Sequence, residues 1–398
     1  MNQSFLILGN SPSLAFAEIY QSVGADGVIA HSPSAVVVKD NKIGKIAPVV
    51  FGGVPKSGII IDEMVDVDPP KIASILQKHI KEGQKFHFGL SSYVLDSKES
   101  ISQQKLKAIG LEIKKILKQS KASVRLVESK SGNLSSVDVA KNKLLDKGVE
   151  LCLLITKDNI LIGKTEAVQP FEEYSQRDYG RPSRDMKRGM LPPKVAKAMI
   201  NLSKVESDGL ILDPFCGVGT VLQEAMLLGY KVIGTDIDEK AIKQTKDNIE
   251  WLLKQNKKEL PEYKIDTMDV RKLDETITEK SVDAIVTEFD LGPPLQADTS
   301  ETKVDSIERS LSGFYEEALG LLLYVLKDES RAVVAWPHFT KHNISLSVFD
   351  KLLDLGWEVV APFPEEYEDT YSLSDRKTLL YGRDDQNVFR EIIILEKK

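Results

Sequence analysis

The chain has 398 residues, of which 42% are hydrophobic and 28% charged, and its formal net charge is −7. This length exceeds one typical core and predicts two or three domains of a soluble globular protein. Two cysteines without a CxxC pair argue against a disulfide framework or a structural zinc site, and the longest apolar run, residues 318–326, falls far short of the roughly 20 residues of a membrane span. We therefore expect a cytoplasmic protein that binds no membrane.

Basic and acidic residues are segregated along the chain. Residues 98–147 hold 12 basic and five acidic residues, residues 174–197 hold seven and two, and residues 288–329 hold three and ten. Basic surface of this kind binds phosphate groups, so the local charge favours a nucleic acid partner in spite of the acidic total. Solvated helix faces are the alternative explanation for each basic stretch.

The first 168 residues predict two small modules. Residues 1–65 contain short strand-like runs and one helical stretch, which is typical of an α+β module, and the segment VDVDPP then resembles a linker. Residues 66–168 combine strands with a Lys-rich helix around 102–119 and a helix that opens at NLSSVD. There Ser135 and Asp138 have the spacing of a capping box.

Residues 169–193 have no periodic pattern and mix Arg, Tyr, Gly and Pro, which predicts an ordered linker lying against a neighbouring surface. Residues 194–398 alternate helices and strands, and LSVFDKLLDLG is predicted as one of the helices. This alternation is typical of an α/β fold with a doubly wound, mostly parallel sheet. The runs KTLLYG and VFREIIILEK predict a hairpin that supplies an antiparallel edge strand.

The strongest motif is ILDPFCGVGTVLQEA at 211–225, where an apolar strand ends at Asp213 and a glycine turn leads into a helix. Gly217 and Gly219 allow a ligand to approach the backbone closely. Asp236, Asp269 and Glu288 end or follow the next three predicted strands. Ligands bind at the carboxyl ends of such strands, so these acids predict a site there. Helix or turn capping is the alternative for each aspartate.

The pattern favours S-adenosylmethionine over a dinucleotide. The GxGxxG fingerprint of a dinucleotide dehydrogenase is absent, and Asp213 beside the turn would face a pyrophosphate unfavourably. The amino and sulfonium groups of S-adenosylmethionine are cations that carboxylates can face. His338 and His342 lie four residues apart, but no third ligand accompanies them, so we expect no metal.

Two stretches resemble a known family. DPFCGVGT resembles the DPxCGxGT motif of class I methyltransferases that modify exocyclic amines of bases, and RDYGRPSRDMKRGMLPPKVAKAMINL resembles the segment that precedes the catalytic domain in tRNA guanine-N2-methyltransferases acting on guanosine 10. NLSSVDVAKNKLLDKGVELCLLI is similar to part of their THUMP RNA-binding domain. The resemblance implies a ferredoxin-like module at 1–65, a THUMP-like domain at 66–168, a linker packing on the cofactor site at 169–193, and a Rossmann-like methyltransferase domain at 194–398.

The same resemblance implies roles for individual residues. The methionine end of S-adenosylmethionine would be surrounded by Asp213, Pro214, Cys216, Gly217 and Gly219. Its ribose would be bound by Asp236 and Ile237, its adenine by Asp269 and Val270, and Glu288 would complete the set. Transfer RNA is the implied partner, and its phosphates would be contacted by Lys114, Lys115, Lys118, Lys141, Arg181, Arg184, Lys187 and Arg188. Pairing of the linker arginines with the acidic stretch 288–329 is the alternative.

The family's catalytic motif, Asp/Asn-Pro-Pro-aromatic, aligns with residues 288–291, EFDL. Glu288 would accept a hydrogen bond from the substrate amine, Phe289 would supply a ring for the flipped base, and Asp290 completes the predicted catalytic residues. A shifted alignment on residues 292–295, GPPL, would lose the acid. The implied activity is methylation of a guanosine N2 amine in tRNA. The alternatives are an inactive or regulatory RNA-binding protein with a retained cofactor site and an amine methyltransferase for another nucleic acid, such as DNA adenine.

Overall fold

The structure is a computed structural model, and it describes residues 2–119, 123–129, 132–184, 189–256, 259–296 and 299–398. These residues form two compact units, the first of residues 2–16 and 23–172 and the second of residues 17–22 and 173–398. Each unit contains one eight-stranded β-sheet. Within the described ranges, no helix combines the length and the apolar character needed to cross a membrane.

The first sheet is mixed. Its strands are β1 (Ser4–Ile7), β2 (Val28–His31), β3 (Ala35–Val38), β4 (Lys56–Met64), β5 (Phe86–Val94), β6 (Val124–Val127), β7 (Gly148–Ile155) and β8 (Ile160–Val168). They are accompanied by helices α1 (Pro12–Val23), α2 (Ile43–Val50), α3 (Pro69–Gln77), α4 (Gln103–Gln119) and α5 (Ser136–Lys141). The strand order is β2-β3-β1-β4-β8-β7-β5-β6. Because β4 pairs with β8, the predicted modules 1–65 and 66–168 contribute to one continuous sheet.

Helix α4 shows why the Lys-rich stretch folds as it does. Leu106, Ile109, Ile113 and Leu117 recur at helical spacing and are buried against the sheet, whereas the lysines occupy the remaining faces. The capping box predicted for α5 is also confirmed. Ser135 Oγ accepts a hydrogen bond from the Asp138 backbone N–H at 3.1 Å, and the Ser135 N–H donates to Asp138 Oδ2 at 2.9 Å.

A buried ion pair joins four strands of the first sheet. Lys56 Nζ on β4 lies 2.6 Å from Glu150 Oε1 on β7, and both side chains are almost inaccessible to solvent, at 2% and 0%. Ser91 on β5 and Thr165 on β8 donate to the same carboxylate, each at 2.6 Å. These donors satisfy the hydrogen-bonding capacity of the buried carboxylate, so the network helps to fix the order of the strands.

The second sheet has the doubly wound topology that the sequence predicted. Its strands are β9 (Leu210–Asp213), β10 (Lys231–Asp236), β11 (Tyr263–Thr267), β12 (Val282–Glu288), β13 (Leu326–Phe339), β14 (Trp357–Val360), β15 (Leu379–Tyr381) and β16 (Val388–Lys397). The helices are α6 (Phe171–Ser175), α7 (Pro193–Leu202), α8 (Thr220–Leu228), α9 (Glu239–Gln255), α10 (Leu273–Thr276) and α11 (Glu301–Val325). The order β11-β10-β9-β12-β13-β16-β14 is parallel up to β13.

Two local predictions for the second sheet need correction. The predicted hairpin of β15 and β16 is confirmed, but β16 is not an edge strand, because it pairs with β13 on one side and with β14 and β15 on the other. The segment LSVFDKLLDLG contains only a 3-10 turn, Ser347–Lys351, followed by further turns. Its apolar residues Leu346, Val348 and Leu352 are still buried in the core of the second unit. The spacing of the apolar residues therefore indicated the buried face correctly, although a full helix did not form.

The buried ion pair gives a stability prediction. Lys56→Met should lower the free energy of unfolding by about 3–5 kcal/mol, because it leaves the buried Glu150 carboxylate without its cation. Lys107→Met is the matched control, because its ion pair with Glu128 at 2.9 Å is exposed and should contribute less than about 1 kcal/mol. Urea unfolding of both variants measures the difference, and equal losses would contradict the account.

Candidate cofactor site at the carboxyl edge of the second sheet

The turn after β9 requires its glycines. Gly217 and Gly219 have φ values of +52° and +80°, in the left-handed region that side chains disfavour. A Cβ on Gly219 would also lie 2.8 Å from Thr245 Cγ2 of α9. Thr245 Oγ1 donates to the Gly217 carbonyl at 2.7 Å, which holds the turn against α9. The turn therefore leads directly into the N-terminus of α8 at Thr220.

Asp213 ends β9 and is buried, with 2% of its surface exposed. Its Oδ1 accepts hydrogen bonds from Thr287 Oγ1 at 2.6 Å and from the Phe215 backbone N–H at 3.2 Å. Burial raises the pKa of Asp213 to about 7, and the nearby Asp236 and Glu288 act in the same direction, against the two hydrogen bonds. An added cation would therefore favour the ionised carboxylate.

Asp236 ends β10 and connects that strand to the glycine turn. Its Oδ2 accepts from the Gly217 N–H at 3.0 Å, and its Oδ1 accepts from the Asp238 N–H at 2.9 Å. The next residue, Ile237, is 64% exposed and offers an apolar surface beside the carboxylate. An acid so fixed, next to an exposed apolar side chain, suits a ribose with a flat ring attached.

These residues surround one cavity of about 730 Å³. Of the residues predicted from the sequence, the cavity is lined by Asp213, Cys216, Gly217, Asp236, Ile237, Glu288, Phe289, Asp290 and Arg184. Pro214 and Gly219 belong to the same turn without lining the cavity. Burial raises the pKa of the Cys216 thiol well above its usual range, so this thiol stays protonated and serves packing rather than nucleophilic attack.

Asp269 and Val270, predicted to bind adenine, do not line the cavity. Asp269 accepts two hydrogen bonds from Arg271 Nε, at 3.0 Å to each oxygen, and that interaction lowers its pKa. Val270 is buried in the core of the second unit. Sequence spacing predicted the correct sheet edge for both residues. The Asp269 carboxylate, however, is bound by Arg271, two residues further on.

The catalytic stretch is only partly arranged as predicted. Glu288 ends β12 and forms an ion pair with Arg390 of β16. Burial raises the pKa of Glu288, and Arg390 opposes that rise. Phe289 borders the cavity but is only 1% exposed, because its ring packs between Phe215 and Tyr315 at centroid distances of 4.8 and 4.4 Å. The predicted stacking of Phe289 on a base does not fit this packing.

Two other aromatic rings are available for a base at the cavity wall. Phe215 and Phe314 both line the cavity and are half-buried, and their rings meet edge to face at 5.9 Å. Phe215 lies inside the predicted motif, whereas Phe314 comes from α11 and no sequence signal marked it. Asp290 is exposed, and its Oδ1 accepts from the Gly292 N–H at 3.0 Å. Residues 288–291 line the cavity and residues 292–295 do not, which favours the unshifted alignment.

The linker packs on the glycine turn, as its composition predicted. Arg181 donates to Thr220 Oγ1 at 2.8 Å, and Asn248 of α9 exchanges hydrogen bonds with the backbone of Ser183 at 2.9 and 3.0 Å. Arg181 is only 3% exposed, and burial lowers its pKa. A buried guanidinium cannot reach an RNA phosphate, so that role for Arg181 is wrong in this conformation. Lys187 and Arg188 lie outside the described residues.

Of the remaining basic residues predicted to bind RNA, Arg184 lines the cavity of the second unit and four lysines belong to the first unit. Lys115 and Lys118 on α4 and Lys141 at the end of α5 are exposed, and Lys114 is half-buried. All four side chains therefore lie on the surface of the first unit, where the charge count predicted a phosphate-binding face.

The chain is similar to known proteins over part of its length. Residues 181–341 match the family described as RMKL-like, methyltransferase domain. A tRNA (guanine(10)-N2)-dimethyltransferase of Methanocaldococcus jannaschii is 30% identical over 218 residues, which cover 54% of this chain and 57% of that protein. A protein of Methanothermococcus thermolithotrophicus named "Probable tRNA (guanine(10)-N2)-dimethyltransferase" is 32% identical over 162 residues, which cover 39% of this chain and 86% of the relative. The chain belongs to the family of these relatives.

The extent of the matches differs between family members. The chain spans about half the length of three curated relatives, at 57%, 50% and 47% of their sequences. The crystal structure of TrmN from Thermus thermophilus matches over 100% of both chains with a TM-score of 0.54 and 14% identity. This likeness shows a shared fold.

The match to a methyltransferase domain confirms the prediction of S-adenosylmethionine as the cofactor. The described residues fit it. Asp236 and Ile237 would receive the ribose and the neighbouring ring, the backbone of the glycine turn would approach the methionine part, and the buried Asp213 would favour a nearby cation. Among the described residues no cluster of His, Cys, Asp and Glu side chains could hold a metal ion.

The raised pKa of Asp213 predicts pH-dependent cofactor binding. A cationic ligand stabilises the ionised form of Asp213. Binding therefore displaces a proton from Asp213 below pH 7, where the carboxyl group is protonated, and not above it. The affinity for S-adenosylmethionine should therefore rise from pH 6 to pH 7 by up to about tenfold and level off by pH 8. Asp213→Asn should weaken binding and flatten this dependence, whereas Asp354→Asn, an exposed control, should change neither. Titration calorimetry that finds the native pH slope in Asp213→Asn would contradict the assignment.

Proposed function

We propose that this protein is an S-adenosylmethionine-dependent tRNA methyltransferase that methylates the exocyclic N2 amine of a guanosine. The observation that carries the proposal is the position of Glu288, a half-buried hydrogen-bond acceptor on the wall of the cofactor cavity. Relatives in the family bear the name tRNA (guanine(10)-N2)-dimethyltransferase, which supports the same substrate class.

Bound cofactor supplies an activated methyl group, so the residues of the chain mainly position the amine. Glu288 accepts a hydrogen bond from the exocyclic N–H and turns the nitrogen lone pair towards the methyl carbon. Phe215 and Phe314 provide ring faces and edges for a base turned out of its stack, in place of the buried Phe289. The carboxylates of the buried Asp213 and the half-buried Asp236 hold the cofactor.

The first unit supplies the RNA contact in this proposal. Residues 1–65 act as a ferredoxin-like module and residues 66–168 as a THUMP-like domain, with exposed lysines on α4 and α5 facing the tRNA phosphates. The whole protein would act in the cytoplasm, where its substrate is found.

Incubation with unmodified tRNA and cofactor labelled in the methyl group tests the activity. Label should appear in N2-methylated guanosine after digestion to nucleosides, and Glu288→Ala should reduce the rate by about 100-fold or more. Glu317→Ala, which changes an exposed acid on α11, is the control and should keep the native rate. Bound but unlabelled tRNA would instead support an RNA-binding protein with a retained cofactor site, and label in adenosine would overturn the proposed base.

Charge reversal tests the RNA surface. Lys115→Glu with Lys118→Glu should weaken tRNA binding and lower the dependence of log Kd on log salt by about one for each phosphate that the surface no longer binds. Lys42→Glu with Lys45→Glu makes the same change of charge at exposed positions of the first unit and should have a smaller effect. Equal effects of the two pairs would remove α4 from the RNA surface.

A further inference from the structure

Arg390 comes from a distant part of the chain and contacts Glu288 on the wall of the cofactor cavity. β13 separates β12 from β16 in the sheet, and Glu288 pairs with Ala335 of β13 while Arg390 pairs with Pro337 of the same strand. The two charged residues therefore stand on either side of β13 at its carboxyl end, where the Arg390 Nε–H donates to Glu288 Oε1. The Arg390 side chain is 9% exposed and the Glu288 side chain is 18% exposed.

We propose that Arg390 is a positioning residue, which fixes one carboxylate oxygen of Glu288 and keeps the group ionised so that the other oxygen receives the substrate amine. This inference rests on the proposed function. A carboxylate on three rotatable side-chain bonds has many orientations, and a hydrogen bond from a buried guanidinium leaves it few. Arg390 thereby aims Oε2 into the cavity that Glu288 lines.

Without Arg390, the surroundings of Glu288 would favour its protonated form. Asp213 on β9 and Asp290 in the following loop are acids close enough to interact with Glu288, and Tyr315 on α11 faces both Glu288 and Asp290. Tyr381 of β15 lies beside Arg390, and Arg184 lines the same cavity. Burial and Asp290 raise the pKa of Glu288, and Arg390 is the group that lowers it.

The chemistry of the transfer shows why ionisation matters. The amine nitrogen uses its lone pair to bond the methyl carbon while the carbon–sulfur bond breaks and its electrons remain on sulfur. The nitrogen then carries one proton too many, and the ionised Glu288 carboxylate accepts it before passing it to water. A protonated Glu288 could neither accept the amine hydrogen bond with the same oxygen nor take up this proton.

The pH dependence of the rate tests the role of Arg390. Arg390→Met should lower kcat with tRNA at pH 7 by about tenfold or more and shift the acidic limb of the profile upward by about one pH unit or more, so that activity recovers towards pH 9. Arg390→Lys keeps the charge and should shift the limb less. Arg331→Met is the matched control, because Arg331 on β13 pairs with Glu396 on β16 at 2.9 Å, at the end of these strands away from the cavity. A native pH profile in Arg390→Met would overturn the proposal.

A double-mutant cycle tests whether Arg390 acts through Glu288, and Arg390→Lys takes the place of Arg390→Met if that variant does not fold. Glu288→Gln with Arg390→Met removes both charges, and Arg390→Met should cost less than about twofold in kcat in that background. The same cost in both backgrounds would overturn the proposal.

A readout without catalysis separates this inference from the proposed function. The carboxyl 13C signal of Glu288, assigned by its loss in Glu288→Gln, should titrate at a higher pH in Arg390→Lys or Arg390→Met than in the native protein. An unchanged titration would contradict the role of Arg390. Absence of tRNA methylation by the native protein at every pH would contradict the proposed function instead.

Discussion

The hydrogen bond from Thr287 to Asp213 joins the carboxyl ends of two neighbouring parallel strands, and the site depends on it. Thr287 is buried on β12 and Asp213 is buried at the end of β9, so their 2.6 Å hydrogen bond is shielded from water. It leaves Glu288, the next residue on β12, on the wall of the same cavity as Asp213. The glycine turn begins immediately after Asp213, so its position relative to Glu288 is set by the same hydrogen bond.

Segments from both ends of the second unit complete the wall that these strands begin. The linker supplies Arg181, which holds the first residue of α8, and β16 supplies Arg390, which holds Glu288. Each is a buried cation that donates a hydrogen bond to an acceptor at the carboxyl edge of the sheet. The first unit uses the same principle at Lys56 and Glu150, where a satisfied ion pair lies inside the sheet. A buried charge is tolerated in each case because its hydrogen-bond partners are fixed by the fold.

Much of the site could be predicted from the sequence, because its signals are local. Apolar runs that end at Asp213, Asp236 and Glu288 mark parallel strands, and the glycines after Asp213 mark a turn that needs positive φ. Predictions that needed side-chain direction were less successful. Phe289 follows Glu288 in the same ladder, since its N–H donates to the Ala335 carbonyl at 2.9 Å, and successive residues of a strand face opposite ways. Its ring therefore enters the core while Glu288 faces the ligand.

Arg390 and Phe314 could not be predicted, because their positions depend on which strand inserts beside β13 and on how α11 packs across the sheet. These are tertiary choices that a single sequence does not display. The same limit explains why β16 was predicted to be an edge strand. The sequence shows the hairpin of β15 and β16, but it does not show that β14 also pairs with β16.

We expect this edge of the second sheet to hold S-adenosylmethionine with its sulfur towards Glu288. A crystal structure of the protein with S-adenosylhomocysteine should show the ribose hydroxyls on Asp236, the methionine part along the glycine turn, and the sulfur facing the Glu288–Arg390 pair. A ligand bound elsewhere, or one whose sulfur points away from Glu288, would contradict this expectation.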